Sequence, residues 1–220
     1  MWKSQIEHFS KSHKVIVFDQ RGHGRSGKPP VDDNYTISKM SSDIGSIIDT
    51  LELKNVTLVG HSMGGMASML YALYNSDKIS KLILVDTTAK MGFMVGLYIS
   101  LTFKIFPYKE YIKGMVDYNH YKPSEKLKTQ ILETALKVPK DTAGKYLTEF
   151  SKTFDIRDKL IQIKIPTIII VGEYDKATPV KDAEYLNNHI EGSTLYRIPN
   201  SKHMPMVDNP EIFNDILAKS

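Results

Sequence analysis

The chain has 220 residues, 41% of them apolar, and a formal net charge of +4 at pH 7. That length can bury one sizeable core, and so modest a charge, without a dense Lys/Arg run, excludes a nucleic-acid footprint. Cysteine is absent, so neither disulfides nor thiolate metal sites contribute.

Trp2, Ile6 and Phe9 recur at helical spacing and predict the buried stripe of a first helix. Val15-Ile-Val-Phe18 predicts a strand over 14–19, and Asp19-Gln-Arg-Gly-His-Gly-Arg-Ser26 follows it as a turn. Ile37, Met40, Ile44, Ile47, Ile48 and Leu51 fall near a 3.6-residue period and mark a covering helix. Strands are expected at 55–60, 81–86, 166–171 and 193–198, with helices near 64–75, 180–190 and 210–219. Strands alternating with amphipathic helices give an α/β fold, a mostly parallel sheet covered on both faces. The alternation fails between 91 and 155, an interval too long for a simple loop. We therefore expect two parts: a core formed by 1–90 and 156–220, and an inserted helical cap at 91–155.

Gly60-His61-Ser62-Met63-Gly64-Gly65 carries the chemistry. A serine between glycines, directly after the apolar run Val56-Thr-Leu-Val59, predicts a sharp strand-to-helix turn that pushes the hydroxyl out above the sheet. The same turn aims the start of the next helix at the reacting atoms, which makes the Met63 N–H a candidate oxyanion donor. A serine hydroxyl is a weak nucleophile near neutral pH and needs a base, oriented in turn by an acid. His203, in the loop after 193–198, is the candidate base, and Asp175, in the loop after 166–171, is the candidate acid. Asp86, at the end of 81–86, is the second choice of acid. His8, His13, His120 and His189 lie in charged or polar stretches and read as solvated surface residues. His61 and His23 sit in Gly-rich loops near the expected site; both are read first as structural and are also candidate substrate contacts.

These residues together resemble the α/β-hydrolase superfamily of esterases, lactonases and related enzymes. The elbow, the Asp-x-x-Gly-His-Gly-x-Ser turn at 19–26, and the late Asp175 and His203 carry the resemblance, which runs from about Trp2 to the C-terminus. It implies that Asp19 and Arg21 are structural, shaping the floor beside the site. It also implies a His-Gly oxyanion loop after an earlier strand, and a strand lying between 15–19 and 55–59. No residues here match either, so a longer native chain is the expectation, with a rearranged core or a partner segment that completes the sheet as the alternatives. Loss of one oxyanion donor typically costs about 100- to 1000-fold in rate.

The cap interval holds eleven of the 21 Phe, Trp and Tyr residues, including Phe93, Tyr98, Phe103, Phe106, Tyr111, Tyr118 and Phe150. An aromatic lid over a serine would favour apolar acyl or alcohol groups, although most such rings are expected to pack the cap onto the core. Ten lysines against seven carboxylates supply +3 of the net charge there, read as a solvated surface with a weak pull on anionic substrates. The stretch from Met91 to Phe106 is apolar but too short to span a bilayer, where about 20 residues are needed. It is expected to form a lid helix or a homodimer contact. Val85-Asp-Thr-Thr-Ala-Lys-Met91 is similar to a segment of the enol-lactonase branch of the family.

The expected activity is hydrolysis of carboxylic esters through an acyl-enzyme, carboxylesterase-like, on a small-molecule ester or lactone. No cofactor and no metal are called for, since His and carboxylates do not cluster at ligand spacing. Lactone opening and C–C bond hydrolysis use the same triad, and a non-catalytic binding protein or an inactive fragment is the alternative of a different class. A serine nucleophile disfavours the halide- and epoxide-opening branches. Without a signal peptide in the first residues, a cytoplasmic location is expected.

Overall fold

The computed structural model describes residues 1–30, 35–91 and 101–219, with the backbone alone at 147–153. Helix α1 (Lys3–Phe9) and helix α2 (Ile37–Thr50) precede strand β1 (Val56–His61), and α3 (Met63–Tyr74) leads to β2 (Ile79–Val85). A helical excursion follows, with α4 (Tyr108–Asn119), α5 (Glu125–Ala135) and α6 (Lys140–Thr153). Strand β3 (Thr167–Gly172), α7 (Val180–His189), β4 (Thr194–Ile198), α8 (Pro205–Asp208) and α9 (Pro210–Ala218) complete the order.

The four strands are all parallel in the order β1-β2-β3-β4. Each pair is joined through at least one helix, as parallel pairing requires. Side chains alternate across the sheet, so β2 sends Leu82 and Leu84 to one face and Ile83 and Val85 to the other. The larger face packs against α2, α3 and α7 through Met40, Ile44, Met66, Met69, Ala183 and Leu186. The smaller face packs against α1, α8 and α9 through Trp2, Met206 and Phe213. With both faces covered, the inner strands read as continuous apolar runs, as Thr167-Ile-Ile-Ile-Val171 does. Helix starts follow local chemistry: Thr36 Oγ1 caps α2 by accepting from Lys39 N at 3.2 Å, and Ser124 Oγ caps α5 by accepting from Leu127 N at 3.3 Å.

Two expectations are corrected. Residues 14–19 form no strand; Val17 and Phe18 are exposed, and β1 pairs with β2 on one side while no strand among the described residues takes its other edge. A β-branched run has strand propensity, but a strand exists only through a partner's N–H and C=O groups. The stripe on α1 is half-buried at Trp2, Ile6 and Phe9, whereas Gln5 is buried, donating to Met206 O at 3.2 Å and Asn214 Oδ1 at 2.9 Å. A polar side chain goes inside here because α8 and α9 offer it acceptors. The aromatic residues Phe93 and Tyr98, most of the Met91–Phe106 stretch, and the side chain of Phe150 lie outside the described residues. Among the described rings, Phe103 is buried against Tyr108 and Tyr111, while Phe106 and Tyr118 are exposed.

Candidate active site

Parallel strands end on one side of the sheet, so the loops after β1, β2, β3 and β4 are neighbours there. Register makes this concrete, since His61 lies opposite Val85, Val85 opposite Ile170, and Gly172 opposite Ile198. Ser62, Asp86, Asp175 and His203 follow these four strand ends in turn.

Ser62 turns the chain from β1 into α3 at φ 51° and ψ −121°. A left-handed conformation at a residue with a Cβ costs about 1–3 kcal/mol and persists only where its surroundings enforce it. Here Ser62 N donates to Val85 O at 2.9 Å, and Ser62 O accepts from Thr87 Oγ1 at 2.7 Å and from Gly65 N at 2.9 Å. Tight packing explains the glycines: a Cβ on Gly60 would lie 2.6 Å from Gly64 O and 2.8 Å from Gly65 Cα. The Met63 N–H, first in α3, has no acceptor within its own helix and carries the positive end of the helix dipole.

The Ser62 hydroxyl donates to His203 Nε2 at 2.9 Å, and His203 Nδ1–H donates to Asp175 Oδ2 at 2.8 Å. Asp175 is buried and also accepts from Ala177 N at 2.7 Å, Thr178 N at 3.2 Å and Thr178 Oγ1 at 2.8 Å. Burial alone would push the Asp175 carboxyl up, but the hydrogen bonds and charge of His203, with those of Thr178 and Ala177, hold it below the usual carboxylate range. The loop reaches His203 because β3 ends in glycine; any Cβ on Gly172 would meet the Lys202 carbonyl.

Asp86 is also buried in this cluster, but its role in the hydrogen bonding differs. Its Oδ1 accepts from Gly172 N at 2.8 Å, while Oδ2 is buried with no hydrogen-bond partner among the described residues. Burial, with the adjacent Asp175 charge, pushes its carboxyl well above the usual range. His203 thus takes Asp175 as its partner and leaves Asp86 beside the pair.

His61 Nε2–H donates to the backbone carbonyl of His203 at 2.7 Å, and the two rings lie 4.9 Å apart. Burial, reinforced by the nearby His203, pushes its pKa down to about 3, so the ring is neutral and pins the loop bearing His203 without adding charge. His23 lies elsewhere in the network, its Nδ1 3.2 Å from Arg21 O and its ring 5.3 Å from Tyr146 of α6. Arg21 forms a two-toothed pair with Asp43, at 2.7 and 2.6 Å, which fits the structural reading of that turn.

Donor atoms of His61, Asp86 and His203 lie within 4.8 Å of one another, the one such group among the described residues. Both His203 nitrogens and His61 Nε2 are already committed to the hydrogen bonds above. An open groove of about 650 Å³ lies between α2 and the far end of α3, lined by Ser42, Asp49, Tyr71 and Lys159, and contains none of these groups.

Sequence reasoning missed three contributors. Thr178 follows Asp175 by three residues, and this Asp-x-x-Thr spacing is the available signal for its hydrogen bonds. Asp208 left no signal. His120 was expected at the surface, and this is corrected: it is buried, with Nδ1 3.1 Å from Asp208 Oδ1. A charged sequence neighbourhood says nothing about a partner 88 positions away.

Residues 1–108 match the family model of the α/β-hydrolase fold. The chain is 27% identical over 226 residues to 3-oxoadipate enol-lactonase 2 of Acinetobacter baylyi, spanning 97% of this chain and 80% of that protein. It is 28% identical over 233 residues to the AB hydrolase superfamily protein YisY of Bacillus subtilis, spanning 100% and 85%. Among solved structures, an esterase from Exiguobacterium antarcticum superposes with a TM-score of 0.92 at 26% identity, over 99% of this chain and 85% of the esterase. No helix among the described residues is long and apolar enough to cross a membrane.

Proposed function

Since this chain belongs to the α/β-hydrolase superfamily, we propose that it is a serine hydrolase that opens carboxylic esters through an acyl-enzyme. The observation that carries this reading is the unbroken chain from Ser62 Oγ through His203, at 2.9 Å, to Asp175, at 2.8 Å. Ser62 attacks the carbonyl carbon as His203 Nε2 takes its proton. Asp175 holds the Nδ1–H tautomer and stabilises the imidazolium, and the Met63 N–H donates to the developing oxyanion. His203 then passes the proton to the leaving alkoxide, and water, deprotonated by the same nitrogen, releases the acid. With His61 neutral and the Asp86 carboxyl pushed well above the usual range, Asp175 is the carboxylate placed to balance the imidazolium during turnover. Helices α4 to α6 form the described part of a cap beside this site, and aromatic side chains such as Tyr118 and Tyr121 favour apolar substrate groups.

Hydrolysis of p-nitrophenyl acetate and butyrate, measured beside Ser62→Ala, tests the assignment. Turnover should vanish in the variant, as should labelling by a fluorophosphonate probe; equal turnover in both proteins would overturn it. Lactone opening is the second reading, favoured by likeness to an enol-lactonase over 97% of the chain and by Val85-Asp-Thr-Thr-Ala-Lys-Met91. Competing a γ-lactone against the ester, with acid release followed by pH-stat, separates the two by their kcat/KM.

A further inference from the structure

One corner of the cap, residues 117–122, touches both loops that carry the acid and the base. Its anchor is Asp208 in α8, five residues beyond His203, whose side chain is 2% exposed. Oδ2 accepts from Lys202 N at 3.0 Å and from Tyr121 N at 2.9 Å, and Oδ1 lies 3.1 Å from His120 Nδ1. A single carboxylate oxygen therefore joins the residue preceding His203 to a cap residue at the end of α4. Two further contacts repeat the connection: Lys202 Nζ donates to Asp117 O at 2.6 Å, and Tyr121 stacks on Tyr174, the neighbour of Asp175, at 5.5 Å and 18°. The acid and base loops are themselves tied, since Tyr174 N donates to Ser201 O at 2.9 Å.

His203 lies outside any helix or strand, so the hydrogen bonds of its loop, with packing against His61, define where its ring sits. His61 holds its carbonyl from the sheet side, and Val207 N and Asp208 N hold Met204 O from α8. The Asp208 carboxylate holds the same loop through Lys202 N and also binds the cap through Tyr121 N. We propose that Asp208 is a positioning residue that locks the cap corner at His120 and Tyr121 to the loop bearing His203, so that seating the cap sets the distance between His203 and Ser62. This rests on His203 being the general base. A cap lifted from the corner would withdraw His120 and Tyr121 and leave the carboxylate with Lys202 N alone; a seated cap fixes both donors and aligns the base. The function is to reserve full reactivity of Ser62 for the closed site.

The test compares Asp208→Ala, Asp208→Asn and His120→Leu in steady-state hydrolysis of p-nitrophenyl acetate, fluorophosphonate labelling of Ser62, and peptide-resolved hydrogen exchange. A misplaced base costs on the order of 100-fold, so Asp208→Ala should lower kcat and the labelling rate by about that factor while KM stays within about threefold. Asp208→Asn should recover most of the loss, because the amide oxygen still accepts from Tyr121 N and Lys202 N and the amide N–H can donate to His120 Nδ1 in its other tautomer. A rise in KM with kcat and labelling unchanged would overturn the proposal, as would an Asn variant no better than Ala. Should Asp208→Ala fail to fold, exchange in His120→Leu decides: faster exchange in peptides covering both 119–122 and 201–204 supports the lock, and a change confined to 119–122 overturns it. Exchange needs no substrate, so inactivity of the wild-type chain on every ester would defeat the hydrolase reading while leaving the lock to be judged by this readout.

Discussion

The loop after β2 and the loop after β3 each place an aspartate at the same end of neighbouring strands, yet the two carboxyls are driven in opposite directions. Asp175 collects four donors, from His203, Ala177 and twice from Thr178, and is held below the usual range against its own burial. Asp86 has Gly172 N and is pushed well above the range, by burial first and then by the charge of Asp175. Burial pushes both carboxyls up; the donors and the His203 charge offset it at Asp175, while at Asp86 the Gly172 N–H alone opposes burial and the neighbouring charge, because two adjacent negative charges in a dry site are costly. The difference teaches that acid assignment in such a site follows local backbone geometry. The turn after Asp175 aims N–H groups back at its side chain, and the turn after Asp86 aims Thr87 at Ser62 O instead.

The sharpest way to break the comparison is to neutralise each carboxyl in turn. Asp175→Asn should lower kcat by about 10⁴-fold, since an amide cannot hold the tautomer or balance the imidazolium; Asp86→Asn should leave kcat within about tenfold. Equal losses in ester hydrolysis would erase the distinction.

Stability separates the pair by sign. Asp86 has a folded pKa above its unfolded value, so in the window between them the folded state keeps a proton that the unfolded chain has lost. Its contribution therefore falls as pH rises through that window. Asp86→Asn removes the falling limb, and its advantage in urea melts should grow from about pH 4 upward, by at most about 1.4 kcal/mol per pH unit. For Asp175, whose folded pKa is depressed, the stabilisation is present above the unfolded value and is lost as pH falls through the folded one. A stability difference for Asp86→Asn that is flat with pH would show that Asp86 is ionised in the folded state.

The smallest effect is expected at Thr178→Val, which removes one of the four donors and leaves the methyl packing intact. It should reduce kcat by about three- to tenfold and move the loss of stability in acid to higher pH. A variant indistinguishable from wild type in both measurements would mean that the remaining three donors suffice.

Much of the local structure around Ser62 was readable in the chain because its signals are local. The glycines at 60, 64 and 65 around Ser62 reflect contacts within one turn, and buried-strand runs ending in Asp175 or leading to His203 announce the loops that follow them. The apolar period of Ile37 to Leu51 gave α2 for the same reason, as side chains three and four apart share a helix face. His120 and Asp208 were not readable, because their burial depends on each other across 88 positions. Nor was the state of 14–19, whose β-branched residues express a propensity that only a neighbouring strand can use.

Local pattern therefore reached most of the element types, the strand-to-helix turn at Ser62 and the chain order of Ser62, Asp175 and His203. Periodicity and turn chemistry act over a few residues and are written directly in their sequence. Tertiary structure decided which way each buried aspartate is pushed, which histidines are buried, which strands pair, and that the Asp208 carboxylate joins residues 120–121 to the loop bearing His203. Those outcomes depend on desolvation and on hydrogen-bond partners brought together from distant parts of the chain, and neither exists until the sheet and its loops are assembled.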